Sequence, residues 1–154
     1  MWEPFSFFLG EWQGKGRGQP GTSRIERNYE LVLNDKFLFV KSKSVYEPQE
    51  KNPKGETHEE WGLISYDRAR KSYVLRQFHL EGFVNQYVIA DIAEDEQTIR
   101  FVTEAIENIS PGWKARESYK ILGSDEFIEF FELAGPDKEF ELYSENRFQR
   151  VRSE

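Results

Sequence analysis

The chain contains ten short runs in which apolar and polar residues alternate, and hairpin-length turns separate most of these runs. The runs cover residues 11–18, 25–33, 37–45, 57–66, 73–80, 83–92, 98–106, 113–122, 126–133 and 140–151. Sequential hairpins of this number form either a sandwich or a closed barrel, and closure removes the exposed strand edges. We therefore predict an all-β fold, an antiparallel up-and-down barrel of about ten strands with room for a small ligand inside.

Helical periodicity is weak along the whole chain. The best helical segment is EPFSFFLG at residues 3–10, which predicts a short N-terminal helical turn with Pro4 near its start. The longest loop-like stretch is EPQEKNPKGE at residues 47–56. No repeat or linker divides the sequence, so we predict one β-barrel domain over residues 1–154.

The composition supports a folded core and argues against several classes of function. Only 38% of the residues are hydrophobic, but aromatic residues make up 16% of the chain and bury a large area per residue. A net charge of −7 without a clustered basic face argues against nucleic acid as a partner. The absence of cysteine excludes disulfides and thiolate chemistry. No apolar run is long enough for a membrane span and no signal peptide is evident, so we expect a cytoplasmic protein.

Three glycines follow Trp12 at every second position, namely Gly14, Gly16 and Gly18. In a strand these residues share one face, and the residues between them are charged or polar, so the tryptophan–glycine face should lie inside the barrel. Two interpretations are open. The glycines either provide curvature, with facing aromatic side chains filling the gap, or they clear an inner wall for a bound molecule.

This segment resembles the first strand of known small barrels. Its Gly-x-Trp motif is similar to that of the calycins, which include lipocalins and fatty-acid-binding proteins. Nitrobindins, which are ten-stranded barrels that bind haem, show a pattern similar to LGEWQGKGRGQP at residues 9–20 and to HEEWGLI at residues 58–64. The resemblance implies a ligand inside the barrel and, on the nitrobindin pattern, a haem-ligating histidine on the last strand.

The last run departs from the nitrobindin pattern, because residues 140–151 contain no histidine. Tyr143 or Glu145 falls near the position of that ligand, and tyrosinate ligates haem in other proteins. We therefore predict no cofactor, and haem is the alternative that the resemblance implies. Lipocalins also stack a late-strand arginine on the first-strand tryptophan, and the resemblance implies this role for Arg147 or Arg150 on Trp12.

The two histidines, His58 and His79, show no spacing that predicts a metal site, so we predict none. His58 stands beside two glutamates and is expected at the rim or on the surface. Both faces of the run that contains His79 mix polar and apolar residues, so periodicity leaves its direction open. We place His79 inside the barrel or at its mouth as a hydrogen-bonding group, and a core or surface histidine without a functional role is the alternative.

Polar residues also interrupt several faces that otherwise look buried. Asn85, Glu117 and Glu129 each lie between two apolar neighbours on such a face. A carboxylate in an apolar lumen is costly unless it is paired, and a pair with arginine is suited to the polar end of a ligand. The possible partners are Arg76, Arg116 and Arg147. We expect Glu129 in solvent, because Ile128 and Phe130 supply an alternative apolar face.

The function favoured by these patterns is binding of a small, mostly hydrophobic molecule with a polar or charged end inside the barrel. The residues predicted to bind it are Trp12, Gly14, Gly16, Arg76, His79, Tyr87, Glu117, Tyr119 and Tyr143. No serine lies in a nucleophile motif, and we predict no catalytic residue. The alternatives are haem binding, an enzyme that uses His79 with a nearby carboxylate, and a barrel that its own side chains fill and that acts as an interaction module.

Overall fold

The computed structural model describes residues 1–95 and 97–152, which form one 3-10 helix followed by ten strands. The helix covers Glu3–Phe8. The strands are β1 (Gly10–Gly18), β2 (Ser23–Val32), β3 (Phe37–Tyr46), β4 (Glu56–Asp67), β5 (Ser72–His79), β6 (Val84–Ile92), β7 (Thr98–Glu107), β8 (Lys114–Gly123), β9 (Glu126–Ala134) and β10 (Glu141–Arg150). Predicted and observed strand ends differ by no more than two residues. The predicted domain also includes residues 96, 153 and 154, which lie outside this description.

Each strand pairs antiparallel with its sequence neighbours, and β1 also pairs with β10, so the sheet closes into a barrel. The prediction of an all-β, up-and-down barrel with an N-terminal helical turn is confirmed. Consecutive strands alternate in direction, so every second connection lies at the same end. We call the end with the β1–β2, β3–β4, β5–β6, β7–β8 and β9–β10 connections the mouth, and the opposite end, which carries the 3-10 helix, the closed end. Within the described residues, no helix has the length and apolar character that a membrane span requires.

Aromatic side chains fill the closed end. The ring centroid of Trp12 lies 4.7 Å from that of Phe127, and its indole Nε1 donates a hydrogen bond to the Phe8 carbonyl oxygen over 2.7 Å. The Phe8 ring in turn lies 5.0 Å from Phe127, and all three side chains are at most 3% exposed. The helix therefore closes this end of the barrel, because its aromatic rings pack against the first-strand tryptophan and Phe127.

An arginine of the last strand stacks on Trp12 at this closed end and binds the backbone at the C-terminus of the helix. The guanidinium carbon of Arg150 lies 4.4 Å from the ring centroid of Trp12, within cation–π distance. Arg150 also donates hydrogen bonds to the carbonyl oxygens of Phe7 and Leu9, over 2.7 and 2.9 Å. Of the two arginines considered for this role, Arg150 is the one that stacks on Trp12, whereas Arg147 is exposed.

The glycine face of β1 is covered by side chains of neighbouring strands. A Cβ atom on Gly14 would lie 2.7 Å from the Phe148 ring of β10, and one on Gly16 would collide with Asn146 and Ser23. The protein itself therefore occupies the space that these glycines leave. This arrangement agrees with the interpretation in which facing side chains fill the gap.

Replacing Gly14 with alanine is expected to lower the free energy of unfolding by about 1–3 kcal/mol, because the added methyl group displaces the Phe148 ring. Gly123→Ala is the matched control, since no atom lies within 4 Å of a Cβ built at that strand position. Urea unfolding followed by tryptophan fluorescence measures both variants. Equal stability of Gly14→Ala and the wild-type protein would contradict the close fit.

Candidate functional site

A cavity of about 360 Å³ opens at the barrel mouth, within the size range of small-molecule sites. Apolar side chains near the mouth form its wall, namely Phe83, Ile106, Ile109, Phe131 and Leu133. Polar side chains from the middle of the strands form its floor. A second space of about 30 Å³, enough for little more than water, lies between this floor and the aromatic closed end.

A buried ion pair between Arg27 of β2 and Glu129 of β9 forms the centre of the floor. The two Arg27–Glu129 hydrogen bonds measure 2.7 and 3.2 Å, and the two residues are 6% and 5% exposed. Arg27 also donates to the hydroxyl oxygens of Tyr29 and Ser42, over 3.2 and 3.1 Å. Asn146 donates to Glu129 over 2.9 Å. Every member of this group has partners, as buried charges require.

A second polar group surrounds Glu117 of β8. Gln77 donates from Nε2 to both carboxyl oxygens over 3.0 and 3.1 Å, and the hydroxyls of Tyr87 and Tyr119 donate one to each oxygen. Burial raises the pKa of Glu117 from its ordinary 4.5 to about 8, and two nearby carboxylates reinforce this rise. Glu117 is therefore mostly protonated at neutral pH.

A third group joins two histidines to one carboxylate. Glu60 of β4 lies opposite His79 of β5 in the strand register, and His58 precedes Glu60 by two residues on the same face. Glu60 Oε2 lies 3.2 Å from His79 Nδ1 and 3.8 Å from His58 Nε2, and the two ring nitrogens are 3.3 Å apart. The other ring nitrogen of His58 lies 2.6 Å from Glu81 Oε1 at the rim.

The charges of this third group follow from its neighbours. Burial alone would raise the pKa of Glu60, but His58, His79 and Arg27 outweigh burial and lower this pKa to about 2. The negative charges of the Glu60 and Glu81 carboxylates raise the pKa of His58 to about 9. Burial lowers the pKa of His79. At neutral pH the group thus combines an ionised carboxylate, a protonated His58 and a neutral His79.

Five of the predicted ligand-binding residues lie around the polar floor and the cavity. His79, Glu117 and Tyr143 line the cavity, while Tyr87 and Tyr119 hold the Glu117 carboxyl group. The prediction that His79 lies inside the barrel or at its mouth agrees with this position. His58 lines the same cavity near its rim.

The other predicted ligand-binding residues lie elsewhere. Trp12 belongs to the closed end, and Gly14 and Gly16 are covered by β10 side chains. Arg76 is exposed on the outer face, because it alternates with inward-facing Leu75 and Gln77 on β5. We therefore assign none of these four residues to the cavity.

Two expectations about buried charge need correction. Glu129 was expected in solvent, and this prediction is wrong, because the side chain lies inside the barrel and pairs with Arg27. The buried Glu129 also pairs with none of the arginines considered as partners, which were Arg76, Arg116 and Arg147. Arg116 pairs instead with Glu132 on the neighbouring strand, and Arg147 pairs with Glu126.

Sequence reasoning missed several residues of the floor, among them Arg27, Glu60 and Gln77. A signal for Arg27 is present, since it lies between Ile25 and Tyr29 on the apolar face of its run. A positive charge at such a position indicates a buried partner. No comparable signal marks Glu60 or Gln77, because both stand in runs whose two faces mix polar and apolar residues.

Comparison with known proteins establishes the fold. No family model matches the chain, and no curated protein matches its sequence. The crystal structure of Rv2717c from M. tuberculosis is similar, with a TM-score of 0.73 and 18% identity, covering 98% of this chain and 97% of that chain. A de novo designed fluorescence-activating β-barrel aligns with a TM-score of 0.49 and 13% identity over 98% of this chain and 100% of the design. The likeness to Rv2717c shows a shared barrel fold, and the resemblance to calycins and nitrobindins stays a prediction.

Arg27→Met is expected to lower the free energy of unfolding by about 3–5 kcal/mol, since it leaves the Glu129 carboxylate buried and unpaired. Adding Glu129→Gln removes that charge and should restore part of the loss. Arg17→Met is the matched control, because the Arg17 side chain is 74% exposed in its ion pair with Glu145. Urea unfolding measures all three variants, and a double variant no more stable than Arg27→Met would argue against the ion pair.

Glu117→Gln is expected to change how stability depends on pH. The folded protein holds a proton on Glu117 between pH 4.5 and about 8 that the unfolded chain releases, so this group lowers wild-type stability as pH rises through that range. The variant lacks this loss, so its stability relative to wild type should increase from pH 5 to pH 8, by on the order of a few kcal/mol.

The titratable groups that face Glu117 are the hydroxyls of Tyr87 and Tyr119 and the carboxylates of Glu60 and Glu129, and they are unchanged in the variant, as is the Gln77 amide. The difference between the two proteins therefore isolates Glu117. Chemical denaturation at several pH values provides the measurement. Parallel pH profiles for the variant and the wild type would refute a raised pKa.

Proposed function

We propose that this protein binds a small, mostly hydrophobic molecule with a polar end in the mouth cavity. The observation that carries this proposal is the cavity itself, in which an apolar wall stands above a polar floor. Burial against the wall stabilises an apolar body, and the floor offers hydrogen-bonding partners to a polar end.

The charges of the cavity favour a polar end that is neutral or cationic. Five carboxyl groups line the cavity, those of Glu56, Glu60, Glu81, Glu117 and Glu129. The guanidinium of Arg27 already donates to Ser42, Tyr29 and Glu129. Glu117 is mostly protonated at neutral pH, which leaves four carboxylates against two cations, Arg27 and His58, in the lining. A ligand carboxylate would meet this excess of like charge, whereas an amine or a hydroxyl would find acceptors.

Haem, which the nitrobindin resemblance implies, does not fit these residues. Of the two residues near the family's ligand position, Glu145 pairs with Arg17, which is largely exposed. Tyr143 lines the cavity, but burial raises the pKa of its hydroxyl, which disfavours the tyrosinate that would ligate iron. We therefore propose no haem site.

An acid–base role for His79 receives limited support. Its Nδ1 lies 3.2 Å from Glu60, which is the nearby carboxylate that such a role requires. Its Nε2, however, is buried and has no hydrogen-bond partner among the described residues, so a substrate in the cavity does not reach this nitrogen. The proposal is therefore restricted to binding.

Displacement of a neutral apolar dye, N-phenyl-1-naphthylamine, tests the proposal. Octylamine and octanol are expected to displace the dye from the full chain. Octanoate has the same chain length and should bind at least about tenfold more weakly, because its carboxylate meets the acidic floor. Displacement by octanoate at the lowest concentration of the three would contradict the proposed polarity, and displacement by none would contradict binding in the cavity.

Two phenylalanines provide a matched pair of variants for this experiment. Phe83 and Phe78 are 38% and 44% exposed, but only Phe83 lines the cavity. Phe83→Ser is expected to weaken binding of dye and octyl compounds alike, since it removes part of the apolar wall. Phe78→Ser should leave binding unchanged, and an equal effect of both variants would place the ligand outside the cavity.

A further inference from the structure

The two histidines and Glu60 present three donor atoms to one point. His79 Nδ1 lies 3.2 Å from Glu60 Oε2 and 3.3 Å from His58 Nε2, and His58 Nε2 lies 3.8 Å from Glu60 Oε2. Zinc bonds of about 2.0–2.1 Å in tetrahedral geometry place neighbouring ligand atoms roughly 3.3 Å apart. The side chains therefore already stand near the separation that a shared ion requires.

The strands explain why these atoms converge. His58 and Glu60 lie two residues apart on β4, so both face the interior, and the strand register sets His79 beside Glu60 on β5. The hairpin between β4 and β5 fixes this register. Convergence thus follows from rigid paired strands, which hold a site more firmly than loops do.

We propose that His58, Glu60 and His79 bind one divalent transition-metal ion, with zinc as the best match, and that its open coordination position faces the mouth cavity. Two imidazoles with one carboxylate are a donor set that suits zinc and iron(II), whereas magnesium and calcium prefer oxygen ligands alone. All three residues line the cavity, so a fourth ligand has a route to the ion. The site goes beyond the proposed ligand binding and does not rest on it.

Neighbouring side chains orient the ligands. Glu81 Oε1 lies 2.6 Å from His58 Nδ1, which leaves His58 Nε2 directed at the shared point. Arg27 Nη2 lies 3.7 Å from the other oxygen of Glu60, Oε1, so Oε2 stays free for the ion. This arrangement of a carboxylate behind a ligating histidine is common in zinc sites.

Metal titration of the full chain tests the site without any organic ligand. Protein stripped with EDTA is titrated with Zn²⁺ by calorimetry and with Co²⁺ by visible absorption, which reports four- or five-coordinate cobalt through its d–d bands. One ion per chain is expected, with d–d bands that Zn²⁺ abolishes by competition. The absence of these bands, or a stoichiometry far from one, would overturn the proposal.

Three variants locate the ion. His79→Ala should abolish the cobalt bands, and Glu81→Gln should weaken zinc binding about 10-fold or more, because it removes the partner of His58 without removing a ligand. Glu56→Gln is the matched control, since it removes the same charge from the same cavity but lies outside the histidine cluster. Zinc binding that is unchanged in both His79→Ala and Glu81→Gln would overturn the assignment. Failure of the octyl compounds to bind, with these results intact, would count against the proposed function alone.

Discussion

The ion pair between Arg27 on β2 and Glu129 on β9 crosses the interior of the barrel and divides it. Burying an ion costs several kcal/mol, so the pair is tolerated only because hydrogen bonds complete both groups. Ser42 and Tyr29 accept from the guanidinium, and Asn146 donates to the carboxylate. On one side of the pair aromatic rings pack the closed end, and on the other the strands enclose the mouth cavity. The position of the pair therefore sets the depth of the cavity.

Glu60 and Glu117, two carboxyl groups of the cavity, have opposite protonation states because their surroundings differ. Glu60 faces two imidazoles and the guanidinium of Arg27, which hold its pKa low despite burial. Glu117 faces hydroxyls and an amide, so burial dominates and its pKa rises. Glu60 is thus a negatively charged hydrogen-bond acceptor, and Glu117 is a neutral acid that can donate a hydrogen bond. A molecule with both a donor and an acceptor at its polar end would match the floor on both sides.

The strands were predictable from sequence, because period-two alternation and short turns are local properties. The closure of the barrel was predictable from the number of sequential hairpins, because closure removes the exposed strand edges. The floor was not predictable in the same way. Both faces of β9 are apolar, so alternation alone does not decide where Glu129 points, and the deciding partner, Arg27, is 102 residues away. His58 and His79 are 21 residues apart, so no short spacing motif identifies them as neighbours. Their proximity depends on the register of β4 and β5.

Gly14 of β1 lies beside an aromatic ring that contacts the same ion pair. The ring of Phe148 lies in the space beside Gly14, where any side chain would collide with it. The same ring stacks on Phe127, with centroids 4.8 Å apart. The guanidinium carbon of Arg27 lies 4.3 Å from the centroid of the Phe148 ring. A side chain at position 14 would therefore displace the surface on which Arg27 lies. The space that the glycine face leaves therefore holds the ring that supports the floor of the cavity.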